Sequence, residues 1–225
     1  MRWVGGMLLV VACVTPAHAW SILDVLPFPS GRATVVAWRF CLTEDCVLFC
    51  PDLACQIAND VAWQSVIRRA AHAWNQAGAD FHFTVRDVTE EDFLEVCQPP
   101  SGEVFVYVTG GETVCANDPP LGQVHAQMVY AETGGVRVYV NAAIPEHLEF
   151  PEGVAFRLVL HELGHAVGLD HPDEVGQDLP AVMNSRVVHG VLQPDDLAGI
   201  AVLYGRKQHA STGEIKACNG DVARR

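Results

Sequence analysis

Basic residues are scarce in this chain: 14 Lys and Arg stand against 27 Asp and Glu, a formal charge of −13. Nucleic acids and anionic membrane surfaces are held by basic patches, so this balance argues against both as partners and favours solubility. Long apolar runs are missing after the first twenty residues, where nothing approaches the ~18 uninterrupted apolar residues that a spanning helix needs, so no membrane span is expected. There is no internal repeat, and the four crowded cysteines Cys41, Cys46, Cys50 and Cys55 contain no Cys-x-x-Cys pair. That spacing favours disulfides over a structural zinc cluster.

The chain opens with Met1-Arg2, an apolar stretch from Trp3 to Val14 and the small-residue pattern Ala17-His18-Ala19. This is a secretory signal peptide, residues 1–19, and it implies a secreted protein, extracellular or periplasmic. Of eight cysteines Cys13 falls in that leader, which leaves seven for an oxidising compartment, with their pairing open and one thiol left over. The remaining length and a hydrophobic content of 50% suit a single core. Residues 20–32 form a Pro/Gly-containing linker or short propeptide, 33–205 the main folded domain, and 206–225 a polar tail.

Periodicity places the elements. Thr34 to Phe40 is β-rich. From Asp60, a candidate N-cap, Trp63, Val66, Ile67, Ala70 and Trp74 recur at helical spacing until Gly78. Strands are expected at Phe81–Val85, Val104–Val108, Gln123–Tyr130 and Val136–Val140. A second helix spans about Glu152 to Val167, with Phe156, Val159, Leu160, Leu163 and Val167 as its apolar stripe and His161 and His165 off it. A third runs from about Asp195 to Tyr204, with Pro194 in its first turn and two aspartates where the helix dipole favours negative charge.

The chemistry concentrates in His161-Glu162-Leu163-Gly164-His165-Ala166-Val167-Gly168-Leu169-Asp170-His171. Residues four apart share a helix face, so His161 and His165 can present two imidazoles to one zinc ion. Gly168 can turn the chain back and deliver His171 as a third ligand. Three neutral imidazoles leave a fourth position open, the arrangement of a catalytic site. Glu162, adjacent to the ligands, is the candidate general base; a purely structural site has no use for it.

This elongated motif resembles that of the metzincin metallopeptidases, and its wording is similar to the matrixin branch. Pro180-Ala181-Val182-Met183-Asn184 resembles the family's Met-turn, and Asp195-Asp196-Leu197-Ala198-Gly199-Ile200 with Leu203-Tyr204-Gly205 its C-terminal helix. The resemblance implies an α+β fold: a twisted mixed β-sheet, two long helices, zinc in a cleft below an edge strand, and a C-terminal helix after the Met-turn. It implies a monomeric zinc endopeptidase acting on protein or peptide substrates, with one catalytic Zn2+ on His161, His165 and His171, Met183 beneath it, and Val124, His125 and Ala126 on the substrate-binding strand.

Pro172 and Ser185 stand where astacins and serralysins carry Glu and Tyr, which disfavours both groups. The His-x-Asp pair that serves a second zinc in vertebrate matrixins is missing upstream, so His125 is expected as an ordinary strand residue. The loop from His171 to Met183 is longer than is usual for the family; its Asp173, Glu174 and Asp178 can be a Ca2+ site or a solvated face, and the solvated face is the expectation. A cysteine-switch sequence is missing too, and Asp24 is a candidate carboxylate cap on the zinc before activation.

Overall fold

A computed structural model describes residues 21–23, 28–40, 53–109, 113–122, 124–141 and 153–207. Residues 1–20, Asp24, Cys41, Cys46, Cys50, Cys218 and the residues beyond Lys207 lie outside them, as does the side chain of Cys55.

Among the described residues seven strands and three α-helices follow in the order β1 (Ser21–Ile22), β2 (Arg32–Phe40), α1 (Leu53–Asn75), β3 (His82–Asp87), β4 (Glu103–Thr109), β5 (Ala126–Tyr130), β6 (Val136–Asn141), α2 (Val154–Ala166), β7 (Leu169–Asp170) and α3 (Pro194–Tyr204). Five strands form one sheet, ordered β3-β2-β4-β6-β5. The first four are parallel neighbours and β5 runs antiparallel along β6 at the edge. The sheet is therefore mixed, as the family resemblance implies.

The central strands β4 and β6 are buried throughout or nearly so, which explains their continuous Val-rich sequences. Val104, Val106, Val108, Val136, Val138 and Val140 face the main core, where they meet Trp63, Ile67 and Trp74 of α1 and Val159, Leu160 and Leu163 of α2. On the other face Phe105, Tyr107 and Tyr139 build a smaller core with Val36 and Leu121. Trp74 joins the two long helices through Nε1, which donates to the Leu160 carbonyl at 2.8 Å.

Several boundaries differ from the periodicity. α1 starts at Leu53, ahead of Asp60, because the preceding residues are good helix formers and Asp60 is tolerated inside the helix. β5 starts at Ala126, not Gln123: the turn closed by Val124 N–H donating to the Leu121 carbonyl at 2.7 Å, with Gly122 at φ 54°, delays entry into the strand. His125 thus sits in the bend before β5. The lead segment is more than a linker. Phe28 is 1% exposed and packs near Phe81, β1 pairs antiparallel with β7, and β2 already begins at Arg32. At the other end Arg206 bridges to Ala79 and Lys207 N–H donates to the Gly78 carbonyl at 2.8 Å.

Candidate metal centre and cleft

α2 carries His161 and His165 one turn apart, with their rings edge to face at 4.6 Å between centroids. The helix ends at Ala166, and Gly168 at φ 102° reverses the chain into β7. That reversal brings His171 back over the helix. Its Nε2 lies 3.2 Å from Nε2 of His161 and 2.9 Å from Nε2 of His165. Among the described residues these three histidines form a group whose ligand atoms all fall within 4.8 Å of one another.

Their other nitrogens fix the protonation. Nδ1 of His161 is 2.8 Å from the Val182 carbonyl and Nδ1 of His165 is 2.8 Å from the Leu169 carbonyl. A carbonyl only accepts, so each Nδ1 carries the proton and each Nε2 presents a lone pair to the centre. Burial, with the neighbouring His165, pushes the His161 imidazole down to about 3; burial, partly opposed by the Leu169 carbonyl and joined by His171, takes His165 to about 4. Lone pairs facing one another at this distance repel unless a cation sits among them, so the donor set fits a zinc ion.

Glu162 lines the same cleft and is 4% exposed. Its Oε2 has no hydrogen-bond partner among the described residues, and burial pushes its carboxyl up to about 8. A dication bound next to it would pull that value down. The cleft, about 540 Å³, runs below the β5 edge, with Val124, His125 and Ala126 on the upper side and Leu158, Ser185 and Val187 among the residues opposite. All the sequence-predicted site residues except Met183 therefore meet in one cavity.

Met183 lies under the site rather than in it. It is 2% exposed and packs against Gly164, where an added Cβ would fall 2.1 Å from its Sδ. The glycine inside the histidine helix is thus explained by close packing. Asp196 fixes the turn: its carboxylate accepts from Val182 N–H at 2.9 Å and Met183 N–H at 3.2 Å, besides capping α3 through Gln193 N–H at 2.7 Å.

Sequence reasoning missed this second role of Asp196, and it missed the Val182 and Leu169 carbonyls that orient the His161 and His165 rings, since main-chain acceptors leave no mark in side-chain patterns. The acidic loop is also more specific than a solvated face. Glu174 Oε1 is 3.1 Å from His171 Nδ1, and the Asp173 carboxylate accepts from Ser185 N–H at 2.8 Å and Ser185 Oγ–H at 2.6 Å. Leu23, adjoining β1, donates its N–H to the Gly168 carbonyl at 2.9 Å and lines the cleft.

Comparison with known proteins gives the same direction. A family model described as Matrixin, a peptidase family, matches residues 56–205. The human protein "Matrix metalloproteinase-19" is 38% identical over a stretch covering 33% of this chain and 17% of that protein, so the chain spans less than a fifth of this curated relative. A solved structure titled "GM1 bound form of the ECX AB5 holotoxin" shares 14% identity over 63% of this chain and 69% of its own, at a TM-score of 0.38, too distant to bear on fold or function.

Proposed function

This chain belongs to the matrixin family, and we propose from that premise that it is a secreted zinc-dependent endopeptidase, with His161, His165 and His171 as metal ligands and Glu162 as general base. The observation that carries the reading is the convergence of three Nε2 lone pairs beside a buried, unpartnered Glu162 carboxylate oxygen.

Zinc held there would supply Lewis acidity, making a water more nucleophilic and a scissile carbonyl more electrophilic. Glu162 Oε2 takes the proton of the attacking water and delivers it to the departing amine; apolar burial, which raises its pKa, and a neighbouring dication, which would lower it, act against each other on this carboxyl. Val182 and Leu169 hold the first two imidazoles in the required tautomer, and Glu174 is placed to do the same for His171. The free side of β5 offers main-chain donors and acceptors to an extended peptide, so affinity comes from strand addition and preference from the wall that includes Ser185 and Val187. No tyrosine follows the Met-turn, so the oxyanion depends on the metal and on backbone donors.

The domain reading is a 1–19 signal peptide, a 20–32 linker or short propeptide, a 33–205 catalytic domain and a 206–225 polar tail; of the two alternatives for 20–32 we favour the propeptide. The pro-segment is supported by β1 lying against the metal loop and by Leu23 in the cleft. No described helix is long and apolar enough to cross a membrane.

The test is zinc analysis beside a peptide-library digest. About one zinc per chain is expected, with internal peptide bonds cut, activity lost to a chelator and restored by zinc. Stoichiometric zinc without cleavage of any peptide would sink the peptidase reading.

A further inference from the structure

The face of the sheet away from the helices carries a buried polar cluster to which peptide hydrolysis gives no task. Arg137 on β6 is 6% exposed, and its Nε and Nη2 each donate to Asp118 at 2.7 Å. Tyr139, two residues on, donates its hydroxyl to Asp118 Oδ2 at 2.6 Å. Arg137 Nη1 donates to the Cys97 carbonyl, and Cys97 is disulfide-bonded to Cys115, three residues before Asp118. Buried ion pairs add little net stability beyond apolar packing of the same volume, whereas a two-pronged Arg–carboxylate contact fixes geometry tightly.

What this cluster fixes is the segment 113–122, which leads directly into the upper rim of the cleft. The Pro119 carbonyl accepts from Gln127 Nε2 at 2.7 Å, and the Leu121 carbonyl closes the turn onto Val124. Asn141, at the end of the strand that carries Arg137, donates through Nδ2 to the Gly122 carbonyl at 3.1 Å and the Val124 carbonyl at 3.2 Å. Its N–H donates to the His125 carbonyl at 2.9 Å. Val124, His125, Ala126 and Gln127 are all cleft residues.

We propose that Asp118 and Arg137 are positioning residues for substrate binding: together with Tyr139 and the Cys97–Cys115 disulfide they set the height and register of the Val124–Gln127 rim above the histidines. An extended peptide then meets main-chain partners that are already in place, and the ordering cost of binding falls. The inference rests on the reading of the cleft as a peptide site.

The variants are Asp118→Asn, which keeps the shape and removes the charge facing Arg137, and the milder Tyr139→Phe. Each is measured, zinc-loaded, for KM and kcat on an extended peptide, for affinity toward acetohydroxamate, and for amide exchange across 113–130. Asp118→Asn is expected to raise KM roughly tenfold, the equivalent of misaligning one or two main-chain hydrogen bonds, with kcat within about twofold. Zinc content and acetohydroxamate affinity stay unchanged, because that ligand reaches the metal and not the rim, and exchange quickens only within 113–130. Tyr139→Phe shifts the same quantities less, and carries the test if Asp118→Asn does not fold. Unchanged KM and exchange would overturn the proposal, as would parallel losses in KM, kcat and acetohydroxamate binding, the mark of a general structural role. A zinc-loaded wild type that cuts no peptide would count against the peptidase reading instead, while amide exchange would still decide the coupling.

Discussion

Gly164→Ala should destabilise this protein, although alanine is the better helix former. The substitution gains about 1 kcal/mol of helix propensity at an interior position. Against this, the new Cβ would stand 2.1 Å from Met183 Sδ and 2.8 Å from Trp74 Cζ2. Neither neighbour has free space: Met183 is 2% exposed and Trp74 1%. Trp74 is pinned through its indole N–H to Leu160, and the Met183 backbone is tied to Asp196. Overpacking in such a core costs about 1–3 kcal/mol, and contact distances this short place the cost at the upper end. The net loss is about 2 kcal/mol, or about 4–8 °C in Tm for a domain of this size. The shift should also reach the metal, because displacing Met183 moves the adjacent Val182 carbonyl that orients His161. Thermal unfolding with and without chelator, beside a zinc titration, reads both effects. A variant as stable as wild type, with unchanged zinc affinity, would refute the packing account of this glycine.

His171→Ala removes one of three ligands and should weaken zinc binding by at least about 100-fold in a competition titration with a chromophoric chelator; equal affinity would remove His171 from the site. The chelated protein should be most stable near pH 6.5. Below that value His161 and His165, ordinarily near 6.5 but held at about 3 and about 4, take up protons more readily unfolded than folded, so their contribution is lost as pH falls. Glu162 works in the opposite sense: raised from 4.5 to about 8, it contributes fully below 4.5 and loses that contribution as pH rises to 8, about 1.4 kcal/mol per pH unit. Urea titrations between pH 5 and 9 should show the alkaline decline in the chelated wild type and not in Glu162→Gln; a decline in both would assign it elsewhere. A chain beginning at Phe28 keeps that core residue but removes Leu23 from the cleft, and its kcat/KM on a peptide should exceed that of the form beginning at Trp20; equal values would make the lead segment a bystander.

The parts of the site that were legible in the sequence are those carried by side-chain type and spacing. His161 and His165 four apart, Gly168 and then His171 specify a helix, a reversal and a third ligand, and the fold brings the three Nε2 atoms together. Strand β4 was legible as an apolar run and β6 from its alternating valines. What stayed hidden depends on contacts between distant segments. Gly164 looks like a helix defect until Met183 and Trp74 pack against it. Asp196 looks like a dipole-compensating charge at a helix start, yet its carboxylate also holds the Val182–Met183 turn. The Cys97–Cys115 pairing could not be drawn from spacing alone, because the bond depends on two loops meeting at the sheet's outer face. Arg137 lies inside a strand marked by its alternating valines, and nothing local to it points to its partner Asp118, 19 residues upstream in an irregular segment.

Glu162→Ala, measured for zinc content and peptide hydrolysis on the same preparation, tests the central claim most directly. Glu162 lines the cleft without being one of the three converging ligands. The variant should therefore keep about one zinc per chain while hydrolysis falls by about 10²–10⁴-fold, the range set by loss of a positioned general base. Full hydrolysis with zinc retained would contradict the mechanism, and loss of the zinc together with the activity would make Glu162 part of the metal site rather than its base.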